Sequence, residues 1–287
     1  MIFTKMQGTG NDFIVIEDFE CKYKKYYSQM AKKLCDRHFG VGADGLLIAS
    51  KCDDADAFMF IYNSDGSLAE MCGNGVRCFA KYIYDRHLTD KTTVKIGTLD
   101  GLKEVQLILE NGNVAKAKVN MGTPRFETKN IPAVFNKNII LNEPVKIDSY
   151  SFNITSLSTG VPHTVIFVSS LPEDRYIKKI GPMVENYDIF PEKTNVNFVL
   201  VKNGNEFYMK TWERGAGLTL ACGTGACASL AACVINEKTQ NAAIAHVPGG
   251  DLFLEWDKSS NNIYMTGPAL TVFKGDYFLN ICPLFVD

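Results

Sequence analysis

The sequence predicts an α+β fold with an internal repeat, in which the same order of motifs occurs twice along a chain of 287 residues. Short runs of alternating apolar and polar residues are typical of strands, and only a few runs have helical periodicity. In addition, Thr9 and Cys72, each followed by glycine, recur as Thr159 and Cys222 at one shared offset of 150 residues. Several motifs at one offset predict two pseudo-symmetric domains.

The strands follow from apolar residues at alternate positions, the pattern of a sheet with one buried face. Turn signals such as NSDGS, ENGN, KNGN and PGGD separate several of these runs, which favours antiparallel pairing. In chain order the predicted strands are 12–18, 45–50, 92–98, 105–110, 164–168, 197–201, 207–212 and 252–256.

Helical periodicity is confined to four runs, two in each half of the repeat. They are 26–35, 75–85, 174–186 and 225–237. The string MGTPRF breaks the pattern near Met121, and the strand-like string YFLNICPLF at 277–285 suggests that the chain end returns to the first half. The predicted domains are therefore 1–121 with 272–287, and 122–271.

Composition narrows the class of protein. With 30 Lys+Arg against 32 Asp+Glu, the chain has no broad positive field for nucleic acid. It also lacks an apolar run long enough to span a membrane and a basic-then-apolar leader, so we expect a soluble cytoplasmic protein. Nine cysteines in a chain of this length indicate mostly reduced thiols in a reducing compartment.

The strings EMCGNGVRC and LACGTGACA carry the sharpest chemical signal, because each places a cysteine and Gly-x-Gly before a helical run. Glycines allow a ligand to approach the backbone, and the free N–H groups of a helix start attract an anion. The same helix end favours a thiolate. Each motif therefore offers an anion cradle beside a reactive thiol, and two in one cleft would form a proton-transferring pair.

Other interpretations of the cysteines are weaker. The spacing from Cys72 to Cys78, or from Cys222 to Cys227, does not match common zinc motifs, and no CxxC redox motif is present. We expect no metal. The string QGTGNDF lacks the pattern of a phosphate loop. We predict core positions for five other cysteines: Cys35, Cys78, Cys227, Cys233 and Cys282.

Seven strings spread over nearly the whole chain are specific in combination: KMQGTGNDF, RHFGVGADGLL, NSDGSLAEMCGNGVRC, TGVPH, TNVNF, WERGAGLTLACGTGACA and MTGPA. Together they resemble the diaminopimelate epimerase family, cofactor-independent enzymes of lysine and cell-wall biosynthesis. The resemblance implies two pseudo-symmetric domains, each a strand-wrapped, barrel-like central helix, with the active-site cleft between them. It also implies a homodimer, with Phe273 where relatives often carry a tyrosine at the dimer interface.

The resemblance places the two catalytic cysteines on Cys72 and Cys222 and associates His163 and Glu213 with catalysis. At the reacting end, it implies that the substrate carboxylate is held by Gly73, Asn74, Gly223 and Thr224, with Asn11 nearby. At the distant amino-acid end, it implies recognition by Asn63, Asn195, Glu213 and Arg214. The fork of an arginine suits a carboxylate, although a surface ion pair is the other interpretation of Arg214.

Two positions depart from the family pattern. Val161 stands where many relatives have asparagine, in GVPH rather than GNPH, and Gly45 stands where some have glutamine. Both changes remove a side-chain amide, so they leave water-mediated contact or an altered substrate preference open. His163 keeps the family's histidine; without the resemblance, a lone histidine in a strand-edge turn would be interpreted as structural.

The resulting hypothesis is epimerisation of L,L-2,6-diaminopimelate to its meso isomer by a thiolate and a thiol acting on opposite faces of one α-carbon, with no cofactor. A related two-cysteine racemase for another amino acid, such as histidine, is the nearest alternative. A binding protein without activity, or a thiol-redox module, is a third. The expected partner is a small amino-acid substrate, with no nucleic acid and no membrane.

Overall fold

A computed structural model describes residues 1–278 of the chain. The chain divides into two compact units: unit 1 holds Met1–Ala117 with the described part of Ala269–Asp287, and unit 2 holds Lys118–Pro268. The domain boundaries predicted from the sequence, at residues 121/122 and 271/272, stay a prediction. Most of the predicted terminal strand, with Cys282, lies outside the described residues.

Unit 1 is a mixed sheet with two helices. Its strands pair in the order β18, β1, β2, β3, β4, β6 and β7, with β5 beside β4. β8 carries the chain from unit 1 into unit 2. The elements are β1 (Ile2–Gly8), β2 (Asn11–Glu17), α1 (Tyr27–Cys35), β3 (Gly45–Ser50), β4 (Ala57–Asn63), β5 (Leu68–Ala69), α2 (Gly73–Asp85), β6 (Thr93–Thr98), β7 (Gly101–Glu110), β8 (Asn113–Asn120) and β18 (Leu270–Asp276).

Unit 2 repeats this arrangement. Its strands pair in the order β9, β10, β11, β12, β13, β15, β16 and β17, with β14 beside β13. The elements are β9 (Ile140–Ile147), β10 (Tyr150–Ser158), β11 (Pro162–Phe167), α3 (Asp174–Glu185), β12 (Asn195–Asn203), β13 (Glu206–Glu213), β14 (Gly217–Thr219), α4 (Gly223–Ile235), β15 (Ala242–Val247), β16 (Gly250–Asp257) and β17 (Asn262–Pro268).

The offset of 150 residues maps one unit onto the other element by element. The bounds of α2, Gly73–Asp85, become those of α4, Gly223–Ile235, when 150 is added. β2, β3 and β4 map in the same way onto β11, β12 and β13 within one residue at their amino ends. The predicted repeat and the α+β class are therefore confirmed.

One prediction about the sheets was only partly right. Most neighbouring strands are antiparallel, but four pairs are parallel: β2 with β3, β4 with β6, β11 with β12, and β13 with β15. In each case a helix lies between the two strands in the chain. A parallel pair needs a long crossover connection, and these helices supply it. Turn motifs report only the tight hairpins and carry no signal for such crossovers.

Each unit wraps its sheet around one helix. α4 packs against β10, β11, β12, β15, β16 and β17, and its residues from Ala226 to Cys233 are all buried. α2 packs against β1, β2, β4, β6 and β7. A helix that is buried on all sides must be apolar or have its polar groups paired. The strand-wrapped central helix expected from the family resemblance is thus present in both units.

The predicted core cysteines within the described residues are buried. Cys78, Cys227 and Cys233 lie on the central helices and Cys35 on α1, each at most 2% exposed. Burial raises the pKa of Cys35, Cys78 and Cys233 to about 12, because a thiolate loses its solvation there. None of the helices in the described part of the chain has the length and apolar composition that a membrane span needs.

Candidate active site

Cys72 and Cys222 are the N-cap residues of the two central helices. Each has an extended backbone, with φ −145° and −125°, and each Sγ accepts a hydrogen bond from the N–H three residues on, at 3.4 Å. The helices thus begin two residues earlier than predicted, at Gly73 and Gly223. Because the sulfur replaces the usual oxygen cap, each thiol lies at the positive end of a helix dipole.

The first helical turns carry the residues predicted to hold the substrate carboxylate. Within α2, Val76 N–H is bonded to the Cys72 carbonyl and Gly75 N–H to its sulfur, so Gly73 and Asn74 form the end of the helix. Gly223 and Thr224 occupy the same places on α4. N–H groups at such an end have no intrahelical partner and favour an anion.

Around Cys72, three polar side chains of unit 1 meet. Asn11 Oδ1 accepts from the Cys72 thiol at 3.6 Å and from Asn74 Nδ2 at 3.2 Å. Asn74 is 3% exposed, and its own Oδ1 is buried without a hydrogen-bond partner in the described part of the chain. Asn63, by contrast, is exposed at the end of β4, where its Nδ2 donates to Ser67 Oγ. Asn63 is thus bonded within its own turn.

Cys222 is more deeply buried, at 4% exposure. Burial raises the pKa of the Cys222 thiol well above its usual range, and the negative charge of the Glu213 carboxylate raises it further. The Thr224 hydroxyl and the Gly225 N–H act in the opposite direction. The thiol therefore rests protonated beside a carboxylate that can accept its proton.

His163 lies inside β11 rather than in a strand-edge turn, and it is fully buried. Thr211 Oγ1 donates to Asn197 Oδ1 at 2.9 Å, which turns Asn197 Nδ2 toward His163 Nδ1 at 3.1 Å. Because Nδ1 accepts, the ring proton is on Nε2. Burial, with a smaller effect of the Arg214 charge, lowers the pKa of His163 to about 3. His163 is therefore a neutral hydrogen-bond donor.

The Nε2 atom of His163 is buried without a hydrogen-bond partner among residues 1–278. An unsatisfied buried donor costs free energy, so one in a folded protein calls for an explanation. A ligand that accepts from Nε2 would supply the missing bond.

Arg214 follows the end of β13 and is held by backbone and side-chain contacts. Its N–H donates to Asn195 Oδ1 at 2.9 Å, and its Nη1 donates to the Glu192 carbonyl at 2.8 Å. Asn195 in turn donates to the Pro162 carbonyl at 2.7 Å and is 6% exposed. Asn195 therefore fixes the backbone at Arg214 and next to His163.

Sequence reasoning missed Asn197, Thr211 and Asp44, whose carboxylate accepts from Asn11. The repeat itself carries the signal for the first two: 150 residues earlier stand Leu47 and Ile61, both buried and apolar. A polar residue where the equivalent core position is apolar indicates a special requirement.

Phe273 lies on β18, where it is 47% exposed and packs edge-on against Phe3 at 5.8 Å. Among the described residues, no cluster of three or more His, Cys, Asp or Glu side chains is placed to hold a metal ion.

Comparisons with known proteins agree on one family. The family model for diaminopimelate epimerase matches residues 3–127 and 155–272. A diaminopimelate epimerase of Caldanaerobacter subterraneus subsp. tengcongensis is 48% identical over 96% of this chain and 99% of its own length. Those of Acetivibrio thermocellus and Methanococcus maripaludis are 46% and 45% identical, over 98% and 96% of this chain and 99% of each relative.

Solved structures resemble this chain in fold alone. A hydroxyproline epimerase from Agrobacterium vitis, with bound trans-4-hydroxy-L-proline, has a TM-score of 0.69 at 14% identity, covering 96% of this chain and 91% of its own. A phenazine biosynthesis protein of the PhzF family from Bacillus anthracis has a TM-score of 0.70 at 14% identity, covering 97% and 99%.

Proposed function

The chain belongs to the diaminopimelate epimerase family, and on that premise we propose that it interconverts L,L-2,6-diaminopimelate and meso-diaminopimelate. The observation that carries the proposal is the pair of cysteine N-caps at equivalent places on two buried helices. The reaction is an isomerisation in the synthesis of lysine and of cell-wall precursors.

In the proposed mechanism one cysteine is a thiolate and the other a thiol. The thiolate removes the α-proton, so that the C–H bond breaks and an S–H bond forms. The thiol then gives its proton to the opposite face of the same carbon. After one turnover the two sulfurs have exchanged protonation states, and no cofactor or external proton donor is required.

The difficult step is the loss of a weakly acidic α-proton. Carbanion character develops next to the substrate carboxylate, and the N–H groups of Gly73, Asn74, Gly223 and Thr224 would stabilise that charge. Fixed donors of this kind act most strongly where water is excluded. Asn11 would add a side-chain contact at the same end of the substrate.

Glu213 and His163 would support the chemistry differently. The charge of Glu213 raises the pKa of the Cys222 thiol, so the carboxylate lies close to it, and we assign Glu213 the role of accepting that proton when the thiolate is needed. His163, neutral with its proton on Nε2, would donate a hydrogen bond rather than act as a base.

The distant end of the substrate carries a second amino-acid group. We assign its recognition to Asn63, Asn195, Glu213 and Arg214, with Arg214 holding the carboxylate. Asn195 would act mainly by fixing Arg214, since both its amide atoms are engaged. Because Val161 and Gly45 lack the amides of many relatives, water would fill those contacts.

Three further proposals follow from family membership. The enzyme acts in the cytoplasm, as a homodimer, with Phe273 at the dimer interface. The exposed aromatic ring of Phe273 supports the last of these.

The two-thiol mechanism is tested by replacing each cysteine. Cys72→Ala and Cys222→Ala should each abolish epimerisation, because either face of the carbon then lacks its proton carrier. Cys52→Ala, which changes a half-buried cysteine elsewhere in unit 1, is the control and should keep near-normal turnover. Near-normal turnover in either site variant would refute the mechanism.

A substrate panel separated by chiral chromatography tests the substrate. Turnover of diaminopimelate but not of histidine supports the proposal, and the reverse supports the related racemase. Alkylation gives a separate check: two fast thiols protected by substrate support the enzyme, and none supports a binding protein.

A further inference from the structure

The contacts around Asn11 point beyond substrate binding. A carboxamide presents an acceptor on one side and a donor on the other, and a half-turn exchanges them. Here Asn11 Oδ1 faces the Cys72 thiol at 3.6 Å and Asn74 Nδ2 at 3.2 Å. Which way the amide turns therefore decides whether Cys72 meets an acceptor, which favours the thiol, or a donor, which favours the thiolate.

Asp44 decides this orientation. Its Oδ2 accepts from Asn11 Nδ2 at 2.7 Å and from the Asp12 N–H at 3.1 Å. A carboxylate only accepts, so the Asn11 side that faces Asp44 must be the NH₂ group. The opposite side, with Oδ1, then faces the sulfur. A hydrogen bond to a charged group is also stronger than one between neutral groups.

A cluster of charges holds Asp44 in place. Arg37 donates to Asp44 Oδ1 at 2.8 Å and to Asp12 Oδ1 at 2.7 Å, and Lys5 is paired with Asp12 at 2.6 Å. Burial raises the pKa of Asp12, but the bonds from Arg37 and Lys5 outweigh burial and lower it to about 2. Asp12 therefore stays ionised at physiological pH and keeps its bonds to Arg37 and Lys5.

Unit 2 has no equivalent of this cluster. The positions 150 residues after Asn11 and Asp44 are Val161 and Thr194. The Thr194 hydroxyl bonds instead to Thr164 and to the Asn195 carbonyl. The Asn11–Asp44 pair therefore belongs to the Cys72 side only.

We propose that Asp44, held by Arg37, is a positioning residue for the proposed epimerisation: it fixes the Asn11 amide so that Oδ1 accepts from the Cys72 thiol and favours the protonated form of this cysteine. This inference rests on the proposed function for its catalytic meaning, but its structural part can be measured without turnover.

The experiment is a double-mutant cycle read by alkylation. The rates at which iodoacetamide modifies Cys72 and Cys222 are measured against pH by peptide mass spectrometry in wild type, Asp44→Ala, Asn11→Leu and the double variant. Since only the thiolate reacts, the midpoint of each profile reports the ionisation of that cysteine. Cys222 is the internal control in every sample.

In Asp44→Ala, the midpoint for Cys72 should fall by about one pH unit, equivalent to about tenfold faster alkylation near neutral pH, because the Asn11 amide is free to turn its NH₂ group toward the sulfur. The midpoint for Cys222 should stay in place. In Asp44→Asn, which keeps an acceptor oxygen, the shift should be smaller.

Loss of the Asp44 charge alone would also favour a thiolate, and the double variant separates the two causes. If Asp44 acts through Asn11, the Asp44→Ala change should have little further effect in the Asn11→Leu background. An equal shift in both backgrounds would overturn the proposal, as would equal shifts at Cys72 and Cys222. If Asp44→Ala does not fold, Asp44→Asn replaces it in the cycle, with a smaller shift expected that should again vanish in the Asn11→Leu background.

Asp56→Ala is the matched control. Asp56 also accepts from a backbone N–H of unit 1, that of Lys95, and pairs with Lys91, but it has no contact with Asn11 among the described residues. It should leave the Cys72 profile unchanged. If wild type fails to epimerise diaminopimelate but the double-mutant cycle gives the expected alkylation profiles, the proposed function is wrong and the positioning role stands. If wild type epimerises diaminopimelate but the cycle does not give those profiles, only the positioning role is wrong.

Discussion

At the scale of residues, Cys72 and Cys222 occupy equivalent places but have chemically different surroundings. Behind Gly75, beside Cys72, lie the apolar side chains of Leu47 and Phe13. Behind Gly225, beside Cys222, lies Asn197, and Asn197 is hydrogen-bonded to His163. The repeat thus preserves the backbone position of the sulfur while its environment has diverged, as expected if two similar thiols perform different steps.

The buried histidine makes a testable contribution to acid stability. Above pH 6.5, His163 is neutral in both the folded and the unfolded chain; below it, only the unfolded chain takes up the proton until about pH 3. Acidification through this window therefore destabilises the fold by up to about 1.4 kcal/mol per pH unit. His163→Phe, which copies Phe13 of unit 1, should make the urea midpoint fall less steeply between about pH 6.5 and 4.5.

The slope with pH is the diagnostic quantity, because the variant also leaves Asn197 without its partner and is less stable at neutral pH. His38→Gln, at an exposed position, serves as the control and should keep the wild-type slope. Parallel curves for wild type and His163→Phe would show that His163 does not stay neutral in the folded protein.

The cysteines, Asn11 and Arg214 could be selected from sequence because local motifs surround them. Asp44 and Asn197 could not, since their importance comes from tertiary contacts: Asp44 meets Asn11 from 33 residues away, and Asn197 meets His163 from 34 residues away. A single sequence shows residue types but not which amide faces which acceptor.

At the scale of elements, the starts of the two central helices differ in how closely neighbouring side chains pack against them. A Cβ added at Gly225 would lie 2.5 Å from Asn197 Oδ1 and 3.2 Å from Cys222 Sγ. The Asn197 amide cannot move away without breaking its bonds to Thr211 and His163. At Gly75, the nearest atom would be Leu47 Cδ2 at 3.4 Å, an ordinary contact.

This difference predicts opposite outcomes for one substitution at equivalent positions. Gly225→Ala should lower the free energy of unfolding by about 1–3 kcal/mol and reduce activity more than tenfold, because overpacking displaces the thiol and the histidine network. Gly75→Ala should leave stability within about 1 kcal/mol of wild type, since alanine favours helix. Urea unfolding and steady-state kinetics measure both, and equal effects would contradict the packing described.

The sequence predicted the helices well and the strands incompletely. All four helix runs were found to within two residues at each end, and the starts of α2 and α4 were placed late because the glycines of CGxG hide the helix start. Strands such as β1 and β10 were missed, since each contains a run of consecutive buried residues and such a run has no alternation. The parallel crossovers depend on the sheet as a whole and not on any turn.

At the scale of the whole molecule, β18 is the clearest candidate for contact with a second copy. It pairs with β1 and carries Leu270, Val272 and Phe273, which are 47%, 56% and 47% exposed. Clustered apolar side chains on one strand often mark a protein–protein interface, and aromatic residues are enriched at the centre of such interfaces.

If the proposed homodimer forms through β18, Phe273→Lys should give a monomer, because a charge would replace a ring that the interface buries. Light scattering after size-exclusion chromatography should give half the wild-type mass. Phe39→Lys, at a position 89% exposed in the same unit, is the control and should keep the dimer mass. A monomeric wild type, or an unchanged mass in Phe273→Lys, would rule out this interface.

The fold class could be predicted because local patterns of apolar residues indicate it, and the repeat could be predicted because its motifs share one fixed offset. The pairing order of the strands could not, since it depends on contacts between distant segments. Family resemblance supplied the roles of the cysteines, and the structure added the reasons why each unit holds its thiol differently.

The most direct test of the central claim is incubation of the protein with L,L-diaminopimelate in deuterated water. Proton transfer through the thiols predicts the meso isomer with deuterium at the inverted α-carbon, detected by chiral chromatography and mass spectrometry. Absence of both the meso isomer and α-deuterium would contradict the claim.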